Sequence, residues 1–256
     1  MADTRKLLNY LGRLYPKRLA KLHGDYVGHM AGKLPKEVNK IVLCLDLDKL
    51  IIDEILSDKP DLVITHHPLV YGTRYRVFKH DEEKRDFVLY LDEINLPVYS
   101  YHTNFDSGTR GMNEALAKRL NLKNIRTLEN NIMARGGDLE EPMHIEEFAK
   151  FAKEALNVPY GLLINEGKEM ISSVAIIGGG GSRSWRDAKE EGYDLYISGD
   201  APHYVRRDVI NGKYNYLDLP HEIENIFMDQ MEKVLLDFDP TLKIKKITHE
   251  IPPRVI

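Results

Sequence analysis

Residues 62–69 of the chain, Leu-Val-Ile-Thr-His-His-Pro-Leu, indicate both the fold and a candidate site. The apolar run at 62–64 predicts a buried strand. Pro68 cannot donate to a strand ladder, so the strand ends at the adjacent histidines His66 and His67. Where the chain turns, both imidazoles can face one cavity, although an isolated pair of histidines is more often a solvated loop feature.

Short apolar segments and longer amphipathic segments alternate on both sides of this stretch, which is typical of βαβ units with mostly parallel sheets. Strands are predicted at 41–45, 97–101, 173–177, 194–197 and 215–219, and helices at 4–14, 81–94, 112–120, 145–156 and 223–236. A turn-rich stretch at 130–137 suggests a boundary. We therefore predict an α/β protein of two lobes. The first, 1–127, carries the His-His and His-x-x-x-Asp motifs, and the second, 128–256, carries a glycine run and a late histidine.

Composition narrows the functional classes. The chain of 256 residues has ten histidines but a single cysteine, Cys44, which lies in an apolar run. Disulfides are therefore not expected, and imidazoles and carboxylates are the expected metal ligands. There is neither a secretory signal nor a membrane-spanning segment, so we predict a cytoplasmic protein. The net charge of −4 and the lack of an aromatic and basic array argue against nucleic-acid binding.

Polar side chains that suit acid–base chemistry or metal binding follow four predicted strands. These are His66 and His67, His102, Asp200 and His221. In open α/β sheets, ligands bind outside the carboxyl ends of the strands. The shared position therefore favours one functional site over scattered surface histidines.

The segment His102-Thr103-Asn104-Phe105-Asp106 places an imidazole and a carboxylate four residues apart. The Asp106 carboxylate can bridge two cations through its two oxygens. The alternative is an Asx-turn between a strand and a helix, which the segment alone would favour.

The segment at 221–225, which follows the predicted strand at 215–219, opens a helix. Residues three apart share a helix face, so His221 and Glu224 can converge. Acidic residues at this position are also expected simply to complement the helix dipole, which explains Glu224 but not His221.

Four glycines at 178–181 follow a strand, and we weigh two interpretations equally. Their backbone amides could hold an anion with help from Arg183, or the run could make a close turn. His203, shortly after Gly199-Asp200, is a second candidate for proton transfer beside His102.

Four motifs occur in order: Thr65-His66-His67-Pro68-Leu69, His102-Thr103-Asn104-Phe105-Asp106, Ser198-Gly199-Asp200 and the late His221. Together with an early Asp25-Tyr26-Val27-Gly28, they resemble the NGG-interacting-factor-three-like dinuclear metal-centre family. Members of that family often carry the name GTP cyclohydrolase I type 2 homologue. The resemblance covers essentially the whole chain.

The resemblance implies two α/β lobes with a site for two divalent metals in the cleft between them, and no inserted third domain in a chain of this length. His66 and His67 would each bind a metal, Asp106 would bridge, His221 would bind with a nearby glutamate, and His102 would lie close by. The metals would be Zn, Fe, Mn, Co or Ni. The resemblance also implies a ring-shaped hexamer, a trimer of dimers.

The last motif departs from the family pattern of Gly-His followed by a glutamate four residues after the histidine. Here the glycine is Pro220 and the fourth residue is Asn225, so Glu224 is the nearest candidate ligand.

Two functions remain open from the sequence. One is a metal-dependent hydrolase that acts on a nucleotide-like or other small anionic substrate, with His102 or His203 handling protons. The other is a non-catalytic metal-binding, scaffold or regulatory protein, since a fold and a metal site do not identify a substrate.

Overall fold

The computed structural model describes residues 1–256 and divides the chain into two compact units. Unit 1 comprises Met1–Gly111 and Phe227–Glu250, and unit 2 comprises Met112–Ile226 and Ile251–Ile256. The units are therefore not the contiguous halves 1–127 and 128–256 of the sequence interpretation, because the chain returns to unit 1 for its last long helix and last strand.

The strands are β1 (Ala2–Asp3), β2 (Gly28–Ala31), β3 (Glu37–Val38), β4 (Lys40–Cys44), β5 (Leu62–Thr65), β6 (Val98–Ser100), β7 (Lys123–Thr127), β8 (Arg135–His144), β9 (Leu162–Asn165), β10 (Met170–Ile176), β11 (Leu195–Ser198), β12 (Asn215–Asp218) and β13 (Lys243–Lys246). The helices are α1 (Thr4–Leu14), α2 (Lys17–Leu22), α3 (Ile52–Asp58), α4 (Arg74–His80), α5 (Glu82–Glu93), α6 (Thr103–Ser107), α7 (Met112–Arg119), α8 (Ile145–Ala155), α9 (Trp185–Glu190), α10 (His203–Asn211) and α11 (Ile226–Phe238). None of the helices has both the length and the apolar character needed to cross a membrane.

Unit 1 is built on a five-stranded sheet in the order β13-β4-β5-β6-β2. All pairings are parallel except that of β2 with β6. Thr65 at the end of β5 pairs with Ser100 at the end of β6. The residues that follow the two strands, His66 and His102, therefore leave the sheet at the same edge.

The apolar run of β4 explains the core of unit 1. Val42 and Cys44 are fully buried against Val63 of β5 and against Val88 and Leu91 of α5. The apolar side of α5 thus covers the sheet, as the helical spacing of its apolar residues predicts. Burial raises the pKa of the Cys44 thiol, with nearby carboxylates adding to the effect, so Cys44 acts as a small apolar side chain.

Unit 2 is built on a six-stranded sheet in the order β7-β8-β10-β11-β12-β9. Its centre, β10-β11-β12, is parallel, and the outer pairings are antiparallel. The predicted α/β fold with two lobes is therefore confirmed, with antiparallel strands added at both sides of the second sheet.

The stretch predicted as turns at 130–137 lies outside the strands as far as residue 134, and its last three residues enter strand β8. Gly136 lies in that strand opposite Ala175 of β10. A Cβ atom at Gly136 would lie 2.1 Å from a ring carbon of Tyr193. The glycine is thus required for aromatic packing against the strand, although its residue type favours a turn.

Candidate metal centre

His66 follows β5 and is fully buried. Its Nδ1 atom lies 2.8 Å from the carbonyl oxygen of Tyr101. Because a carbonyl oxygen only accepts, Nδ1 must donate and carry the proton, which places the lone pair of the neutral ring on Nε2. The ring packs at a centroid distance of 5.1 Å from Phe227, so its orientation is fixed by both packing and a hydrogen bond.

His67 is held in the same manner by a carboxylate. Its Nδ1 atom lies 2.7 Å from Oδ2 of Asp46, which follows strand β4. The backbone N–H of Asp46 in turn donates to Oε1 of Glu250 at 2.8 Å. A carboxylate that accepts from Nδ1 fixes the ring and makes Nε2 more basic, which is the usual support of an imidazole metal ligand.

His102 has a third partner of this kind, Asp25, whose Oδ2 atom lies 2.7 Å from Nδ1. The same oxygen accepts from the Thr103 hydroxyl at 2.8 Å. Burial alone would raise the pKa of Asp25, but these hydrogen bonds and the charge of His102 lower it. Asp25 is positioned by the end of α2, where Gly24, at a φ of 69°, donates to Lys21 and Asp25 donates to Ala20.

The three imidazoles converge. One ligand atom from each of His66, His67 and His102 lies within 4.8 Å of the others. The ring centroid of His66 lies 5.0 Å from that of His67 and 5.1 Å from that of His102. The buried carboxylate of Asp106, in α6, adds Oδ1 at 3.6 Å from Nε2 of His66.

The phenyl ring of Phe105 explains why α6 lies here. It is fully buried, with its centroid 4.7 Å from Tyr15 and 5.1 Å from Phe227. Asp106, the next residue, is thereby brought to the edge where His66 leaves the sheet. Three imidazoles and one carboxylate form a donor set that suits Zn, Fe, Mn, Co or Ni, so these residues fit a divalent metal.

Unit 2 carries a second, more acidic group. His221 opens a 3₁₀ turn, His221–Asn225, directly after Pro220. Its Nδ1 atom lies 2.5 Å from Oδ2 of Asp200, and its Nε2 atom lies 3.0 Å from Oε2 of Glu224. Burial opposes the charged ring, but the two carboxylates outweigh it and raise the pKa of His221 to about 9.

The parallel pairing of β11 with β12 places these residues together. Ser198 pairs with Asp218 at the strand ends, so Asp200 and His221 leave the sheet at the same edge. Asp200 has a φ of 56°, a backbone conformation that only small polar residues and glycine adopt readily. Both residues line a cavity of about 320 Å³ together with Arg206, Asp218 and Tyr160.

The glycine run makes a close turn around Glu224. Gly179 has a φ of 61°, and a Cβ atom there would lie 2.0 Å from Oε1 of Glu224. The amide of Gly178 donates to the side chain of Asn113 at 2.8 Å, and the amide of Gly181 donates to the Gly179 carbonyl at 2.9 Å. The contacts favour the close-turn interpretation over an anion cradle, because these amides already have protein acceptors.

The candidate residues from the sequence thus fall into two groups. The structure brings His66, His67, His102 and Asp106 together in unit 1, and it brings His221 and Glu224 together in unit 2. His203 is an exposed residue at the start of α10, outside the set that lines the cavity beside His221. Arg183 donates from Nε to the hydroxyl of Tyr204 at 2.9 Å.

Sequence reasoning missed the carboxylates that orient the imidazoles. Asp46 follows an apolar strand directly, which is the same positional signal that identified His66 and His67. Asp25 was noted only as part of a short motif, and its pairing with His102 joins positions 77 residues apart.

Comparison with known proteins identifies the family of the chain. The profile of the family described as Duf34/NIF3 (NGG1p interacting factor 3) matches residues 2–253, so the chain belongs to this family. A protein of Clostridium perfringens named GTP cyclohydrolase 1 type 2 homolog is 31% identical over 222 residues, which is 84% of each chain. A protein of the same name from Lactococcus lactis is 28% identical over 246 residues, 93% of each chain.

Solved structures extend the likeness to the fold. The crystal structure of a Bacillus cereus protein related to NIF3 superposes with a TM-score of 0.84, at 19% identity, and covers 98% of both chains. The predicted family is therefore confirmed over essentially the whole chain.

Proposed function

We propose that this protein binds two divalent metal ions per chain, through His66, His67 and Asp106 in unit 1 and through His221 and Glu224 in unit 2. The observation that carries the proposal is the group of three converging imidazoles in unit 1, each with Nδ1 engaged by an acceptor. Three imidazoles gathered at one sheet edge, one of them fully buried, are better explained by a metal than by packing.

His102 has two roles open to it within this proposal. Its ligand atom lies within 4.8 Å of those of His66 and His67, so it can serve as a third imidazole ligand. Alternatively, its hydrogen bond to Asp25 equips it to hold and transfer a proton, as a histidine oriented by a carboxylate does in hydrolases.

We further propose that the bound metal serves a hydrolytic reaction. A divalent ion supplies a Lewis acid and lowers the pKa of a bound water. The support from this chain is the oriented imidazole of His102 beside the ligand set, and the support from relatives is the name GTP cyclohydrolase 1 type 2 homolog.

Metal content per chain, measured by elemental analysis on protein purified without chelator or a metal-binding tag, tests the binding proposal. Wild type should hold two ions, and the double variant His66→Ala/His67→Ala should hold fewer, because it lacks two of the proposed ligands of unit 1. The matched control is His29→Ala/His80→Ala, which removes two exposed imidazoles outside both groups and should keep the full content. Equal metal content in all three proteins would overturn the proposal.

The single variant Glu224→Ala tests the ligand set of unit 2. If Glu224 replaces the family glutamate, whose position is Asn225 here, Glu224→Ala should hold fewer ions than wild type. An unchanged content would exclude Glu224 as a ligand.

Turnover is tested separately on metal-loaded protein with nucleotides, phosphoesters and cyclic amides. The double variant His66→Ala/Asp106→Ala should lose both metal and turnover, whereas His102→Ala should lose turnover and keep metal if His102 handles protons. Persistent inactivity of wild type at full occupancy would instead support a non-catalytic metal-binding or regulatory protein.

The hexameric ring stays a prediction that rests on the family. Light scattering coupled to size-exclusion chromatography should give the mass of six chains. A monomer mass would contradict it.

A further inference from the structure

Unit 1 contains a pocket of about 330 Å³ at the end of α2. Its lining consists of Lys17, Lys21, Gly24, Asp25, Tyr26 and Val27. A volume of this size accommodates a small organic molecule. The metal proposal does not use this pocket.

Two lysines dominate the electrostatics of the pocket. Lys17 and Lys21 lie four residues apart on α2, so their side chains share one face of the helix. Neither ammonium forms an ion pair with a carboxylate of this chain. Two like charges on one helix face repel each other, and a bound anion would relieve this repulsion.

The only carboxylate in the lining, Asp25, is already engaged. Its oxygens accept from the Nδ1 atom of His102, the hydroxyl of Thr103 and the backbone N–H of Tyr26. The lysines are therefore left as the charged groups that can meet a ligand, and the ligand they select is an anion.

The position of Lys17 is supported by its surroundings. Its Nζ atom lies 5.6 Å from the centroid of the Tyr99 ring, a cation–π distance. Gly28 makes room for it, since a Cβ atom at this glycine would lie 2.4 Å from Nζ. Lys17 is an exposed residue, and these contacts hold its ammonium beside the sheet at the border of the pocket.

The remaining lining is largely apolar. The Tyr26 side chain is 51% exposed and, with Val27 and the aliphatic stems of the lysines, offers a surface for a ring. The pocket also borders the site residues, because α2 packs against α6, the helix of Asp106, and Asp25 holds His102.

We propose that this pocket binds the phosphate monoester of a small planar ring compound, with the phosphate between Lys17 and Lys21 and the ring beside Tyr26. As the substrate pocket of a metal-dependent reaction, it rests on the proposed function. As a phosphate-binding pocket, it depends only on the lysines and can be tested in protein without metal.

The test is calorimetric titration of the full chain with phenyl phosphate, after treatment with chelator so that no metal contributes. Saturable binding to wild type is expected. The double variant Lys17→Ala/Lys21→Ala should weaken it by about tenfold or more, since charge-assisted hydrogen bonds to phosphate are lost. The variant Lys17→Arg/Lys21→Arg keeps the charge and should bind within about threefold of wild type.

The matched control is Arg13→Ala/Arg18→Ala, which removes the same charge from α1 and α2 at exposed positions outside the lining and should bind like wild type. Phenol, without the anion, should bind far more weakly than phenyl phosphate. The absence of saturable binding to wild type, or equal weakening in the control, would overturn the proposal.

The metal content of Lys17→Ala/Lys21→Ala separates this proposal from the proposed function. The lysines are not ligands, so the content should equal that of wild type. Wild-type protein that binds phenyl phosphate but holds no metal would refute the metal proposal and leave the pocket standing. Full metal content without phenyl phosphate binding would refute the pocket proposal and leave the metal proposal standing.

Discussion

The candidate ligands of unit 1 and those of unit 2 both lie at the carboxyl ends of parallel strands, but they differ in composition and charge. Unit 1 gathers three imidazoles, those of His66, His67 and His102, with Asp106 close to His66 and with Asp46 and Asp25 each accepting from an Nδ1 atom. Unit 2 has one imidazole, His221, between two carboxylates. The same position in the fold has thus produced two different donor sets.

The difference affects what a metal must displace. In unit 1 each imidazole already has an acceptor at Nδ1, which is the arrangement that presents Nε2 to a metal. In unit 2 the carboxylates raise the pKa of His221 to about 9, so both ring nitrogens carry a proton at neutral pH in the metal-free protein. A metal at His221 must therefore compete with that proton, whereas its two flanking carboxylates attract the cation.

Of the changes that separate the two units, removal of the buried Phe105 ring should have the largest effect on stability and metal content. Phe105→Ala deletes a fully buried ring beside Asp106 and should reduce the free energy of unfolding by about 3–5 kcal/mol. It should also reduce the metal content, because the positions of Asp106 and His66 depend on the same packing. Urea denaturation and elemental analysis measure the two effects.

The matched variant is Phe148→Ala in α8, which deletes an equally buried ring of unit 2. It should lose similar stability and keep the metal of unit 1. A metal loss in Phe148→Ala that equals the loss in Phe105→Ala would mean that metal content reports only general stability.

Deletion of the carboxylates that orient the imidazoles should be next in size. Asp46→Ala should weaken metal binding by about 10–100-fold, because His67 loses the acceptor at Nδ1. Competition with a chromophoric chelator measures the dissociation constant, and Asp46→Asn, which keeps an acceptor oxygen, should recover part of the affinity. Asp48→Ala, which removes a carboxylate paired with His249 instead, should bind like wild type.

A glycine comparison tests whether the turn at 178–181 shapes the group in unit 2. Gly179→Ala and Gly192→Ala both place a side chain at positive φ, 61° and 84°, but only the first brings Cβ against Glu224. The clash should destabilise Gly179→Ala by about 1–3 kcal/mol more than Gly192→Ala. Equal melting temperatures would show that Glu224 does not need the close turn.

The smallest expected effect is the pH dependence of the stability that the ion pairs of His221 contribute. Its pKa is raised from 6.5 to about 9, so in metal-free protein its ion pairs contribute stability that is fully present below 6.5 and is lost as pH rises through 9. NMR titration of the ring should give this pKa, and Glu224→Gln should lower it. Glu222→Gln makes the same change of charge and should leave the pKa of His221 unchanged, because the carboxylates that raise this pKa are those of Glu224 and Asp200.

Much of this contrast was accessible from the sequence. Apolar runs and helical spacing predicted the strands whose ends carry His66, His102 and His221, because burial on both faces produces a recognisable continuous run. Helix α1 begins and ends at Thr4 and Leu14 as its leucine spacing predicts. The family motifs added the expectation of metal.

The rest depends on contacts between distant residues. The pairings of His67 with Asp46 and of His102 with Asp25 join positions 21 and 77 residues apart, and neither carboxylate has a sequence pattern that names its partner. Strand β8 was missed because Gly136 and Gly137 are turn residues by type. Only the packing of Tyr193 on Gly136 and of Leu122 on Gly137 explains them in a strand. The return of the chain to unit 1 at Phe227–Glu250 follows from the pairing of β13 with β4, which also joins distant residues.

X-ray absorption spectroscopy of the metal in the purified protein tests the central claim most directly. The edge energy identifies the element, and the fine structure identifies the ligands. The account predicts nitrogen and oxygen neighbours with the outer-shell scattering of imidazole, reduced in His66→Ala/His67→Ala and unchanged in His29→Ala/His80→Ala. Sulfur neighbours, or imidazole scattering in His66→Ala/His67→Ala that is as strong as in wild type, would contradict it.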